Sequence, residues 1–333
     1  GGEIMRWISI SKLPITFLAI SALVAGSEAA EVDPPQPAMQ CSAHDVTVQG
    51  EVAYVTDSSS LQLIDIRDPS NPLPYSRHGL SGIQSMIIRD RHLFAASSYS
   101  GLHIIDVSNP YRPNTLSVLS TEGWARGIAL RDDHAFIAND RGGLAVVDVR
   151  DAGRPRLASR CNTSGEAWEI VLSGDFAFMA DGPSGLQIFE ICEPEHPVHV
   201  ASLDTPGYAG GLAMAKGHAF IADGDAGMLV VDCGDPRHPV TVAHYDTPGF
   251  ACSVSISGDF AFVADLDSGL QVIDISEPGA PKFVSQCGMD CMAMDVVVRD
   301  GFAYVINLSR LQIVSVANVQ EPGLEGSCPT PGK

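Results

Sequence analysis

Two columns of aspartate run along the chain. Asp57, Asp181, Asp223 and Asp265 follow one short apolar segment, while Asp65, Asp106, Asp148, Asp232 and Asp274 close another. Carboxylates that converge supply general acid–base pairs or ligands for a hard cation. Regular recurrence argues against that chemistry, because a group needed once per unit serves the unit, by capping a turn or accepting backbone N–H groups. Three acids break the pattern: Asp45, Glu169 and Asp295 occupy one equivalent position in three copies of a repeat. With His44 they form a possible ligand set for calcium or another divalent metal. Cys252 and Met294 nearby would suit copper only if a soft-metal site existed.

A second irregular set is aromatic. At one loop position the copies carry Ser42, Gly82, Trp124, Glu166, Tyr208, Phe250 and Met292, and two residues later His44, Gln84, Arg126, Trp168, Gly210, Cys252 and Met294. Trp124, Arg126, Trp168, Tyr208 and Phe250 would give one sector of a surface an aromatic rim suited to a peptide or sugar. The alternative is that these rings only cover the tops of the units. The chain has no nucleophile elbow, zinc-helix motif, phosphate loop or dinucleotide fingerprint. Non-catalytic binding is therefore the leading expectation, with no cofactor, and a metal-dependent hydrolase or lactonase is the rival.

The elements that must position these residues are short strands. Seven segments align: Ala53-Tyr54-Val55, Leu93-Phe94-Ala95, Ala135-Phe136-Ile137, Ala177-Phe178-Met179, Ala219-Phe220-Ile221, Ala261-Phe262-Val263 and Ala303-Tyr304-Val305. Their starts lie 40 and then five times 42 residues apart. Such spacing marks identical units, none able to bury its own faces. Each unit reads as four strands, A to D, joined by turns of two to five residues that force antiparallel pairing. In the fifth copy, Lys216-Gly217 is a hairpin turn, Asp223 to Gly227 a reversal, and Asp235-Pro236-Arg237-His238-Pro239 a break that removes ladder donors. The expected fold is all-β, a seven-bladed β-propeller of four-stranded antiparallel blades, with radial packing leaving only short edges.

Leu102-His103-Ile104-Ile105-Asp106, Leu144-Ala145-Val146-Val147-Asp148 and Leu270-Gln271-Val272-Ile273-Asp274 resemble the LVIVD repeat. The acid-Pro-x-x-Pro turns and Ala-Phe-x-Ala strands occur with them in order, and the resemblance spans Ala43 to Cys328. It implies architecture and an exported or surface location, and no biochemical role. The Gly-His and Trp-Asp dipeptides of WD40 blades are missing. The Pro-x-x-Pro stretches look like SH3 ligands but read better as strand breaks.

Composition sets further bounds. Forty acidic against twenty basic residues give a formal charge of −20, a field that repels phosphate backbones and anionic lipid. Nucleic acid is thus an unsuitable partner. Met5-Arg6 and Lys12 precede an apolar stretch from Leu13 to Ala25, too short to span a bilayer and shaped like a secretory signal. Residues 1–29 are expected to be this signal, with Gly1 to Ile4 an artefact ahead of Met5, residues 30–40 a Pro-rich linker, and 41–333 the propeller. Cleavage after Ala29 leaves no stable membrane insertion and an exported protein, whether periplasmic, surface-bound or extracellular, with a protein or glycan partner at the cell envelope. Eight cysteines fit an oxidising compartment. Aligning the copies puts Cys41 and Cys328 in the slots that Cys291 and Cys287 occupy one blade earlier. Bridges Cys41–Cys328 and Cys287–Cys291 are therefore expected, the first shutting the ring. Cys161, Cys192, Cys233 and Cys252 have no assigned partner.

Overall fold

A computed structural model describes residues 45–56, 59–289, 292–307 and 310–330. They form 28 strands and no helix. The strands fall into seven sheets of four, each ordered as the chain runs. The expected seven-bladed propeller of antiparallel blades is the fold. The signal and linker segments, together with Cys41, His44, Asp57 and Cys291, lie outside the described residues.

The fifth blade shows how local chemistry draws a sheet. Strand A (Gly211–Ala215) meets strand B (His218–Ala222) with Ala215 opposite His218. Lys216 and Gly217 between them both hold positive φ, 52° and 73°, as a type I′ turn requires. Strand C (Met228–Asp232) pairs with B and then with strand D (Val240–Tyr245). In all seven blades the C–D register slips by one residue near the middle of strand C. A bulge at that point increases twist and turns the outer edge.

Strand C is buried on both faces because each sheet is sandwiched between two others, and Gln62, His103, Gln187, Gln271 and Gln312 within it are buried as well. Phe136 faces the fourth blade with Ala167, Ile170 and Met179, whereas Ala135 and Ile137 face Phe94 and Ile104 of the second. The small alanines of strand B let neighbouring sheets approach. Seven such inter-blade cores encircle the molecule.

The ring closes between the first and seventh blades, and no strand is exchanged there. Val46, Val55 and Ile64 pack with Tyr304, Ile306, Ile313 and Cys328. Val46 N–H donates to Asp295 Oδ2 at 3.1 Å and Arg299 Nη1 donates to the Val48 carbonyl at 2.5 Å. Gly326 sits so close to the Pro69 carbonyl that a Cβ there would overlap it. Similar devices serve other joints, such as Arg131 Nη1 to the Gly174 carbonyl (2.9 Å) and Ser117 Oγ to the Ala152 carbonyl (2.6 Å). Cys287 and Cys328 stand unbridged. Each thiol donates weakly to the carbonyl of the next residue, Gly288 or Pro329. The seam is accounted for by the same packing as every other joint.

Candidate functional site

The B–C and D–A loops share one face and are clipped together. Ala167 and Asp140 exchange backbone hydrogen bonds at 3.1 and 3.2 Å, and Gly182–Ala209, Gly224–Ala251 and Leu266–Ala293 repeat the exchange. The B–C loop member of each pair (Asp140, Gly182, Gly224 or Leu266), and Ser98 opposite Ala125, has positive φ. The clip needs that conformation whatever the side chain.

The recurrent aspartates are spent on this scaffold. Asp181 accepts from Thr163 Oγ1 (2.9 Å) and Gly165 N–H (3.1 Å). Asp223 does the same with Thr205 and Gly207, and Asp265 with Thr247 and Gly249. Burial raises all three carboxyls, Asp181 to about 6. Asn139 fills the position in the third blade and still accepts from Thr121 Oγ1 at 2.8 Å. The other column closes turns at strand C ends: Asp148 accepts from Arg150 N–H and its guanidinium, which hold it down at about 2. Neither column forms a site.

At the inner end of the blades Asp45, Glu169 and Asp295 do approach one another. Asp45 is pushed up first by burial and then by Asp295, to which its carboxyl is hydrogen-bonded. Burial lifts Glu169 to about 8. Their oxygens also hold strands: Met86 N–H donates to Asp45 Oδ2, and Ser253 Oγ to Asp295 Oδ1 at 2.7 Å. Glu169 Oε1 caps its own Ile170 N–H at 2.9 Å. It occupies space left open by Gly127, where a Cβ would stand 3.1 Å from it. Among the described residues no three His, Cys, Asp or Glu side chains are disposed to hold a metal ion.

The aromatic sector is a connected structure. Arg126 places its guanidinium 3.7 Å from the Trp168 centroid and 5.3 Å from that of Trp124. Asp140 holds it at 3.0 Å. Trp168 Nε1 donates to Tyr208 Oη (2.6 Å), which donates to Glu166 Oε2 (2.7 Å). Arg141 binds the other Glu166 oxygen at 3.3 Å. Tyr99 leans on Trp124 with centroids 4.5 Å apart and planes tilted by 46°. Phe250 stands apart from this ladder, its ring lying against Gly224, as Tyr208 lies against Gly182. Four of the five rim residues are thus brought into one network. Glu166, which shares the loop position of Trp124 and Tyr208, joins them, and so do Tyr99, Asp140 and Arg141, which the sequence did not single out. Aligning the B–C loops as well as the D–A loops would have found Tyr99 and Arg141, which stand where Pro183, Asp225 and Asp267 stand elsewhere.

Solved structures similar to this chain share its fold at low identity. A functionally unknown protein from Desulfotomaculum acetoxidans DSM 771 matches with a TM-score of 0.69 at 12% identity, over 85% of this chain and 100% of that one. U3-55K matches at 0.67 and 10% identity, covering 80% and 88%. The computationally designed Ika8 protein matches at 0.65 and 10%, covering 86% and 87%. No curated protein matches the chain. The model of the LVIVD repeat matches seven consecutive segments, at residues 41–76, 84–121, 122–163, 164–205, 206–247, 248–288 and 290–330. With seven copies covering nearly the whole propeller, the chain belongs to the LVIVD-repeat family.

Proposed function

We propose that this protein is an exported, non-catalytic binding scaffold that holds a protein or glycan partner at the cell envelope through the B–C and D–A loops of one face. The observation that carries the reading is the Trp124–Arg126–Trp168–Tyr208 network. Among the described residues it departs from repeat symmetry on that face, and it rests on clipped loops, the usual setting of a binding site. Export rests on the signal-like segment at residues 13–25 and on the eight cysteines. Affinity capture with the full chain, repeated with Trp124→Ala and Trp168→Ala, tests the reading. Loss of partner in both variants, with melting temperatures kept, supports it. Undiminished capture would overturn the assignment to this face.

The rival is an enzyme using calcium or another divalent metal at the channel mouth. It draws on the approach of Asp45, Glu169 and Asp295, yet these carboxyls as placed offer no common position for an ion. Elemental analysis of protein from its native compartment separates the two. Stoichiometric metal lost in Asp45→Asn and Asp295→Asn would sink the binding-only reading.

A further inference from the structure

The loop face over the second to fourth blades combines one bare ring with a balanced set of fixed charges. Tyr99 is 75% exposed, and among the exposed large apolar side chains of the described residues it is the one on a B–C or D–A loop; Val118, Val198, Val240, Phe283 and Leu324 lie on outer strands D. Its ring leans on Trp124, the two planes tilted by 46°. The loop beneath is held by Ser98, at φ +35°, through the Ala125 N–H to Ser98 carbonyl bond (2.9 Å) and Ser98 Oγ to the Gly82 carbonyl (2.8 Å). A ring so held is presented without much ordering cost on binding.

Around it, three arginines meet three acids. Arg126 pairs with Asp140, Arg141 with Glu166, and Arg160 with Glu122 at 3.0 Å. In a chain of formal charge −20 this sector is neutral. Its neighbours in the fifth and sixth blades carry exposed Asp204, Asp225, Asp246 and Asp267. That field disfavours anionic ligands. The guanidiniums of Arg141 and Arg160 are oriented by their partners and keep unused N–H donors. Trp124 Nε1 is buried with no acceptor, so the indole serves as the floor under Tyr99 and the donors open to a ligand are those of the arginines. A protein interface wants a central cluster of large apolar groups, and this sector bares a single ring.

On these grounds we infer that the sector built on Tyr99, Trp124, Arg141 and Arg160 binds a neutral oligosaccharide, with the free face of Tyr99 stacking on a sugar ring's C–H face and the paired arginines donating to its hydroxyls. This deepens the proposed binding function and rests on it.

The experiment is a glycan array carrying neutral and uronic-acid oligosaccharides, probed with the full chain, followed by calorimetric titration of the hits. The expected result is binding of neutral glycans that changes less than about two-fold between low and high salt, because no net charge is neutralised. Tyr99→Ala should weaken it about ten-fold or more, as loss of one stacking platform does, and Tyr99→Phe should restore it. Arg141→Ala should weaken it several-fold. Both residues are exposed, and unchanged melting temperatures confirm folded variants. Binding only of acidic glycans, binding indifferent to Tyr99→Ala, or no glycan bound would each overturn the inference. If capture instead yields a protein partner lost in Trp168→Ala, the saccharide assignment fails while the binding scaffold stands.

Discussion

At the scale of single residues, the chemistry-bearing side chains divide by whether they repeat. Asp181 was legible as structural from recurrence alone, and the structure supplies the reason: it accepts from Thr163 and Gly165 across a loop that would otherwise bury an unpaired N–H. Asp181→Asn should melt within a few degrees of the parent at neutral pH, since Asn139 already fills that slot. Asp181→Ala should cost about 1–3 kcal/mol, the penalty of an unsatisfied buried donor, measured by denaturant unfolding. The pH dependence follows from carboxyls whose folded pKa lies above the unfolded value near 4. Their neutral form is favoured in the fold, so their contribution is whole below about pH 4 and is lost as pH rises through about 6 for Asp181 and about 8 for Glu169. Melting temperature should therefore fall between pH 5 and pH 9. Glu169→Gln should flatten the upper part of that slope, and an unchanged slope would contradict the assignment of Glu169. Below pH 4 the depressed Asp148, at about 2, works in the opposite sense.

At the scale of elements, the strands and turns were readable because their signals are local. Lys216-Gly217 announces a two-residue hairpin, and the two prolines of Asp235 to Pro239 end strand C. What local signals do not carry is contact across blades. Tyr208 was visible as a rim residue, but not that its ring covers Gly182 on the preceding B–C loop, nor that its hydroxyl joins Trp168 to Glu166, which lie about one repeat away. Gly182 has φ +55°, and a Cβ there would stand 2.9 Å from Tyr208 Cζ. The left-handed conformation alone is tolerated at this position, as Asp140 and Leu266 show. Gly182→Ala should therefore act mainly by displacing Tyr208, with a stability loss of about 1–3 kcal/mol, as for overpacking. Loss of partner capture should accompany it. Gly224→Ala, under Phe250, should leave capture largely intact, because Phe250 stands outside the network.

At the scale of the whole molecule, the seven-fold ring followed from the 42-residue period, whereas the means of its closure did not. Aligned cysteine slots suggested a covalent latch from Cys328 to Cys41, which lies outside the described residues; the described part of the seam holds Val46, Tyr304, Ile313 and Cys328 in one apolar cluster with Gly326 against Pro69. Gly326 carries no sequence signal of its own, since its neighbour in space is more than 250 residues away. Gly326→Ala should open this joint first. An expected loss of about 1–3 kcal/mol, as for overpacking a tight contact, is measurable by denaturant unfolding under reducing conditions. The central claim is that function resides on the B–C and D–A loop face, over the second to fifth blades. Hydrogen exchange of the full chain with and without its captured ligand tests it most directly. The account predicts protection concentrated at residues 98–101, 122–127, 139–143, 164–168 and 204–210. Protection confined to the A–B turns of the opposite face, or to the outer strands D, would contradict it.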